Sequence, residues 1–242
     1  MIKVINLENQ ENASYYAAIQ IIKQLKTQSN SVLGLATGGT MIELYKSLNH
    51  LIHVNCIDLS DVKTFNLDEY ININSNHEQS YKTYMYNNFI KQNKTFNEEN
   101  FFIPNGNADD LQTEIERYEK LIKHYGYIDL QILGIGENGH IGFNEPGTAF
   151  TSKTHIVNLE ASTIEANSRY FNTSEEVPNQ AITMGISTIL KAKKIILLAF
   201  GESKKYALRK LLDGNIEESL PASILNKHSN VEILVDNQAL GI

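Results

Sequence analysis

The first residues of this chain that could do chemistry are Asn138, His140 and Glu145. They stand in the run Gly134-Ile135-Gly136-Glu137-Asn138-Gly139-His140-Ile141-Gly142-Phe143-Asn144-Glu145-Pro146-Gly147. An imidazole backed by a carboxylate is the usual means of moving a proton near neutral pH. The glycines around it let backbone approach a ligand closely. The same side chains could instead form a hydrogen-bonded loop scaffold. A second carboxylate, Asp68, ends the apolar run Val62-Lys63-Thr64-Phe65-Asn66-Leu67. There it could take a proton from carbon, work that a general base speeds by about 10²–10⁴, or it could simply cap a helix or face water. Gly38, Gly39 and Thr40 form a turn ahead of a helical stretch, a plausible phosphate cradle of backbone amides at a helix amino end, although an ordinary tight turn reads the same way. Arg169 and Lys204 are cations that would suit a phosphate or sit solvated on the surface. His140, Glu145 and Asp68 have no recognised metal-ligand spacing, so no metal is expected.

These residues need elements to position them. Ile2 to Leu7 alternates like a strand, and Ala13 to Leu25 carries apolar residues at helical spacing. Val32 to Ala36 is a short buried strand leading into the glycine turn, after which Met41, Leu44, Tyr45 and Leu48 mark a helix face. Val62 to Leu67 is the next strand, stopping at Asp68-Glu69-Tyr70, and a Tyr-rich helix follows from Tyr81 to Ile90. Ala108-Asp109-Asp110 caps a helix to about Tyr125, and Ile128 to Leu133 is the strand that feeds the Asn138 loop. His155 to Leu159 reads as extended, Ser162 to Phe171 as helical, and Ala181 to Leu190 as helical again. Lys194 to Phe200 is a continuous apolar strand opening a helix to Leu212, and Val231 to Val235 is the last strand.

This alternation predicts an α/β chain: a single domain over 1–242 with a mostly parallel, doubly wound, Rossmann-like sheet and helices on both faces. In such sheets ligands bind beyond the carboxyl ends of the strands, near a switch in strand order. The glycine turn, Asp68, the Asn138 loop and Lys204 all follow strands and should meet at that rim. The spacing Gly134-x-Gly136-x-x-Gly139, with Glu160 some way on, also matches a dinucleotide fingerprint. That reading needs a helix to receive the pyrophosphate, and Gly142, Asn144, Pro146 and Gly147 occupy its place.

Composition narrows the class further. The 242 residues carry 21 Lys and Arg against 28 Asp and Glu, a formal charge of -7, so no general field favours nucleic acid or an anionic membrane surface. An anionic substrate would need a local cationic patch. A single cysteine, Cys56, excludes an internal disulfide. No apolar run approaches the roughly 20 residues that span a bilayer, and the start lacks a signal peptide's core, so a cytoplasmic protein is expected.

Taken together, five segments resemble the glucosamine-6-phosphate deaminase family, within the wider group that includes 6-phosphogluconolactonase. They are Leu35-Ala36-Thr37-Gly38-Gly39-Thr40, Asn66-Leu67-Asp68-Glu69-Tyr70, Gly139-His140-Ile141-Gly142-Phe143-Asn144-Glu145-Pro146, Asn167-Ser168-Arg169-Tyr170-Phe171 and Gly201-Glu202-Ser203-Lys204. The Asn-Glu-Pro after Gly-His is the most specific of these marks. The resemblance implies conversion of glucosamine 6-phosphate and water to fructose 6-phosphate and ammonia, without metal or organic cofactor. A lactonase-type hydrolase and a non-catalytic sugar-phosphate sensor are the alternatives it leaves.

Carried over, Asp68 is the base at C2, and His140 shuttles the ring-opening proton with Glu145 and Asn138 orienting it. Gly38, Gly39, Thr40, Arg169 and Lys204 hold the phosphate. The segment of about 155–184 corresponds to the family's mobile lid. Members often carry aspartate at the place of Asn138, so His140 here is expected to depend on Glu145 alone for charge. Thr148, His155 and Val157 stand where allosteric members bind an activator phosphate. Val157 in place of a cation argues against activation by N-acetylglucosamine 6-phosphate and against the hexamer that such regulation uses, while the oligomeric state itself is not written in the sequence.

Overall fold

The computed structural model describes residues 2–168, 171 and 177–242. The first half of the chain builds strands β1 (Ile2–Asn6), β2 (Val32–Leu35), β3 (Lys63–Asn66), β4 (Asp68–Tyr70) and β5 (Phe101–Phe102), with helices α1 (Gln10–Thr27), α2 (Ile42–Val54), α3 (Tyr81–Asn88) and α4 (Leu111–His124). The second half adds β6 (Leu130–Gly134), β7 (His155–Asn158), α5 (Ala161–Ser168), β8 (Gln180–Thr183), α6 (Ile186–Ile189), β9 (Lys194–Ala199), α7 (Lys205–Leu212), β10 (Val231–Val235) and α8 (Asn237–Leu240). Among the described residues no helix is long and apolar enough to cross a membrane.

Seven strands form the main sheet in the order β1-β10-β9-β6-β2-β3-β5, and every neighbouring pair in it is parallel. Its central strands are near-continuous apolar runs because both faces are covered. Ile195, Ile196, Leu197 and Leu33, for instance, are all fully or almost fully buried. From β2 the chain steps outward to β3 and β5. It then returns to place β6 on the other side of β2, so the strand order reverses between β2 and β6. A ligand crevice is expected at the carboxyl ends of these two strands.

A second, antiparallel sheet has the order β4-β8-β7, with Asp68 opposite Thr183 and His155 opposite Thr183 on the other side. Two expectations change here. The run at Asp68-Glu69-Tyr70 is not the end of a strand but a strand of this second sheet. The stretch from Ala181, expected as helix, begins as the sheet's central strand and turns helical only at Ile186. The spacing of Ala181, Ile182 and Met184 fits either form. The strand wins because its backbone pairs on both edges and Ala181 and Ile182 are fully buried between β4 and β7. The ends of the 155–184 segment are therefore strands, and α5 stands between them.

Candidate active site

The chain enters the site three times through strand ends. After β2, Gly38 adopts φ +97° and starts a tight turn, Gly39–Met41, that leads into α2. Positive φ at this point suits glycine. Tyr84 holds the turn by donating its hydroxyl to the Gly38 carbonyl at 2.9 Å. After β9, Gly201 repeats the device with φ +83° and a turn, Glu202–Lys204, ahead of α7. Met41 closes its turn fully buried, so it serves the helix start and the core.

Asp68 stands at the joint between the two sheets. The Met184 amide donates to the Leu67 carbonyl at 2.6 Å, and the Phe143 amide donates to Thr183 Oγ1 at 3.0 Å, which ties the Asn138 loop to the residue opposite Asp68. Burial, followed by the charge of neighbouring Glu69, lifts the Asp68 carboxyl to about 8. Burial also raises Glu69, against three backbone donors, Tyr70, Tyr81 and Lys82, that its oxygens accept at 2.9–3.0 Å. Glu69 thus fixes the start of α3 and is not free to exchange roles with Asp68.

The loop after β6 does not become a helix; it is a chain of turns up to β7, as the glycines and Pro146 require. Asn138 Nδ2 donates to Glu145 Oε2 at 2.9 Å, and Asn138 Oδ1 accepts the His140 backbone N–H at 3.1 Å. His140 Nδ1 lies 3.4 Å from Glu145 Oε2. Glu145 is buried, which alone would raise its carboxyl. The bond and charge of His140, the Thr163 hydroxyl and the Asn138 amide outweigh that and hold it at about 2. An ionised Glu145 facing Nδ1 favours the proton on that nitrogen, leaving Nε2 as the acceptor for a substrate hydroxyl.

Gly136 lies beneath the imidazole, where a Cβ would run into Cε1, Nδ1 and Nε2 of His140. Gly142, at φ +57°, passes close to Asp68: a Cβ there would meet Asp68 Oδ2 at 3.4 Å and Thr183 Oγ1 at 3.0 Å. Asn144, singled out with the Asn-Glu-Pro element, is scaffold. Fully buried, it donates through Nδ2 to the carbonyls of Ile141 and Met184 at 2.8 and 2.9 Å. Asn144→Ala is expected to lower stability by about 1–3 kcal/mol, because the Met184 carbonyl loses its side-chain donor and that of Ile141 keeps only the residue-144 backbone N–H at 3.2 Å. Urea unfolding measures this, and an unchanged midpoint would show that the clamp is dispensable.

These pieces enclose one cavity of about 440 Å³, lined by Gly38, Gly39, Thr40, Asp68, Asn138, His140 and Lys204 of the expected set. Glu145 stands behind His140, outside the lining. Arg169 lies outside the described residues. The sequence reading missed Tyr81, Phe143, Ser162 and Asn167, which also line the cavity, and Thr163, which lines it and donates to Glu145 Oε1 at 2.6 Å. Glu160, weighed only with the dinucleotide spacing, instead accepts from Asn138 Nδ2 through Oε2 at 3.3 Å. The relay therefore has a second carboxylate beside Glu145. Among the described residues no three His, Cys, Asp or Glu side chains gather as a metal site.

The arrangement offers an anion-suited end and two proton-transfer centres of opposite setting: a buried carboxyl that keeps its proton to unusually high pH, and an imidazole beside a carboxylate that gives its proton up at unusually low pH. A sequence profile of the family described as glucosamine-6-phosphate isomerases/6-phosphogluconolactonase matches residues 8–234. A glucosamine-6-phosphate deaminase of Staphylococcus saprophyticus is 54% identical over 237 residues, with 98% of each chain covered. One of Staphylococcus aureus is 52% identical over 237 residues, covering 98% of this chain and 94% of the relative. The solved structure of a monomeric glucosamine-6-phosphate deaminase superposes with a TM-score of 0.97 at 47% identity over 99% of both chains. A 6-phosphogluconolactonase from Trypanosoma brucei shares the fold, with a TM-score of 0.78 at 16% identity, over 100% of this chain and 98% of the other.

Proposed function

This chain belongs to the family of glucosamine-6-phosphate isomerases and 6-phosphogluconolactonases, and we propose that it is a deaminase, turning glucosamine 6-phosphate and water into fructose 6-phosphate and ammonia in amino-sugar breakdown. The observation that carries this reading is the pairing of Asp68 with His140 across one cavity. Hydrolysis of a lactone would use the cradle and the imidazole and leave the buried Asp68 without work.

In this reading the phosphate rests on Gly38, Gly39, Thr40 and Lys204, joined by Arg169. Binding energy from that remote end orients C1 and C2. Nε2 of His140 takes the proton from O1 and passes it to O5, which opens the ring. The aldehyde then makes the C2 proton removable, and Asp68 takes it. Asp68 returns a proton to C1 while a proton of the C2 ammonium passes to O1, giving a C1 hydroxyl and an iminium at C2. Water adds there, ammonia leaves, and the ketone of fructose 6-phosphate remains. The ammonium at C2 of the bound sugar favours the ionised form of Asp68, which offsets its burial. Asn138, Glu145 and the imidazole work as one unit throughout.

Val157 packs against the apolar cluster around Tyr70 and Phe143, so the activator place offers an aliphatic side chain where a phosphate wants a cation. We propose that the chain, 1–242 acting as one cytoplasmic domain, needs no such activator and no hexamer. A coupled assay of ammonia and fructose 6-phosphate tests the proposal. Stoichiometric release at a rate unchanged by N-acetylglucosamine 6-phosphate is expected. No ammonia from concentrated protein, with or without that sugar, would overturn it, and consumption of 6-phosphogluconolactone independent of Asp68 would point to the hydrolase.

A further inference from the structure

The two oxygens of Glu145 face different parts of the molecule. Oε2 serves its own loop, meeting Asn138 Nδ2 at 2.9 Å and His140 Nδ1 at 3.4 Å. Oε1 is met by the Thr163 hydroxyl of α5 at 2.6 Å and, from just ahead of that helix, by the Glu160 backbone N–H at 3.5 Å. The Glu160 side chain also accepts from the Asn138 amide at 3.3 Å, so that amide is stretched between two carboxylates. The terminal torsion of a glutamate is broad and nearly two-fold, so a carboxylate held through one oxygen can roll. Held through both, with Thr163 buried on one side, it presents Oε2 to the imidazole in one orientation.

α5 is itself seated by packing. Ile164 lies against the cluster of Tyr70, Phe143 and Leu159. The helix therefore brings Thr163 to Glu145 only from this seat, while Ser162 and Asn167 of the same helix line the cavity.

We propose that Thr163, with Glu160 beside it, is a positioning residue of the proton relay: its hydroxyl locks the roll of Glu145 and so the orientation of His140, making the seat of α5 a condition of ring opening. The proposal rests on the deaminase reading.

Steady-state deamination by Thr163→Val and Thr163→Ser tests it. Valine keeps the shape and branching and removes the hydroxyl; serine keeps the hydroxyl and removes the methyl. The expected result is a kcat about tenfold lower for valine, the scale of one lost hydrogen bond to a charged group, with KM within about twofold, since the phosphate end is untouched. Serine is expected to restore kcat to within about threefold. A packing role would instead spare valine and penalise serine. A second arm uses Asn138→Asp, which sets three carboxylates together, and the same change combined with Glu160→Gln. The double variant is expected to recover at least about threefold in kcat over Asn138→Asp alone. An active parent whose valine variant keeps its kcat, or whose serine variant is hit as hard as valine, overturns the inference and leaves the deaminase reading standing. A parent that releases no ammonia takes both down.

Discussion

Asp68→Asn is expected to lower kcat for ammonia release by about 10³–10⁴ while fructose 6-phosphate still binds with an affinity within a few-fold of the parent's. The substitution keeps the size and the hydrogen-bonding outline and removes only the ability to take a proton from C2. The phosphate cradle lies on other strand ends and should not register the change. Stability supplies the control. The folded carboxyl titrates at about 8, above the roughly 3.9 of an unfolded aspartate. The folded chain therefore holds that proton across the interval while the unfolded chain releases it, and the parent loses stability as pH rises from about 4 to about 8. Asparagine has no proton to lose. The variant should melt above the parent at pH 8 and match it near pH 4, so its inactivity would not come from unfolding. The parent's kcat/KM should accordingly climb with pH toward about 8, the free enzyme's base being ionised only there. Full turnover in the variant, or loss of sugar-phosphate binding together with turnover, would place the base elsewhere.

The convergence of Asp68, His140 and the glycine turn was legible from the sequence because each follows an apolar run, and the parallel sheet brings strand ends to one rim whatever the details of each run. The exclusion of a dinucleotide site was legible for a similar reason: Pro146 and the glycines around it have no helix to offer. The second sheet was not legible. Asp68–Tyr70 is three residues long, and β8 carries a pattern that suits a helix as well as a strand. Only pairing across more than a hundred residues, Asp68 with Thr183, decides the matter. The links of Thr163 and Glu160 to the Asn138 loop were invisible for a different reason. A threonine in the first turn of a short helix gives no local sign that its hydroxyl reaches a carboxylate in another loop. Nor was it legible that the Asn138 amide, beside its bond to Glu145, also meets Glu160 just ahead of α5, while the ion pair of His140 itself is with Glu145.

Gly136→Ala is expected to cost about 10²–10³ in kcat, because it attacks the imidazole from below. A methyl group at 136 would sit 2.6 Å from Nε2 of His140 and closer still to Cε1 and Nδ1, distances that non-bonded atoms do not hold. The backbone offers no relief and no separate penalty. Gly136 is not among the glycines with positive φ, so alanine suits its conformation. Its N–H donates to the His140 carbonyl at 2.9 Å, and its carbonyl accepts from Gly139 at 3.0 Å, which closes the loop on itself. The ring must therefore swing away, leaving the 3.4 Å approach to Glu145 and the substrate oxygens together. KM should change little, since the cradle at Gly38 to Thr40 is on another strand end. Gly134→Ala is the matched control: it lines the same cavity, but its methyl would meet only Met41 Cε at an ordinary 3.4 Å, and it should keep activity within a few-fold. Equal losses in both variants would mean that the loop tolerates no side chain anywhere. A Gly136→Ala enzyme with parental kcat would mean that the imidazole does not work from the position it occupies here.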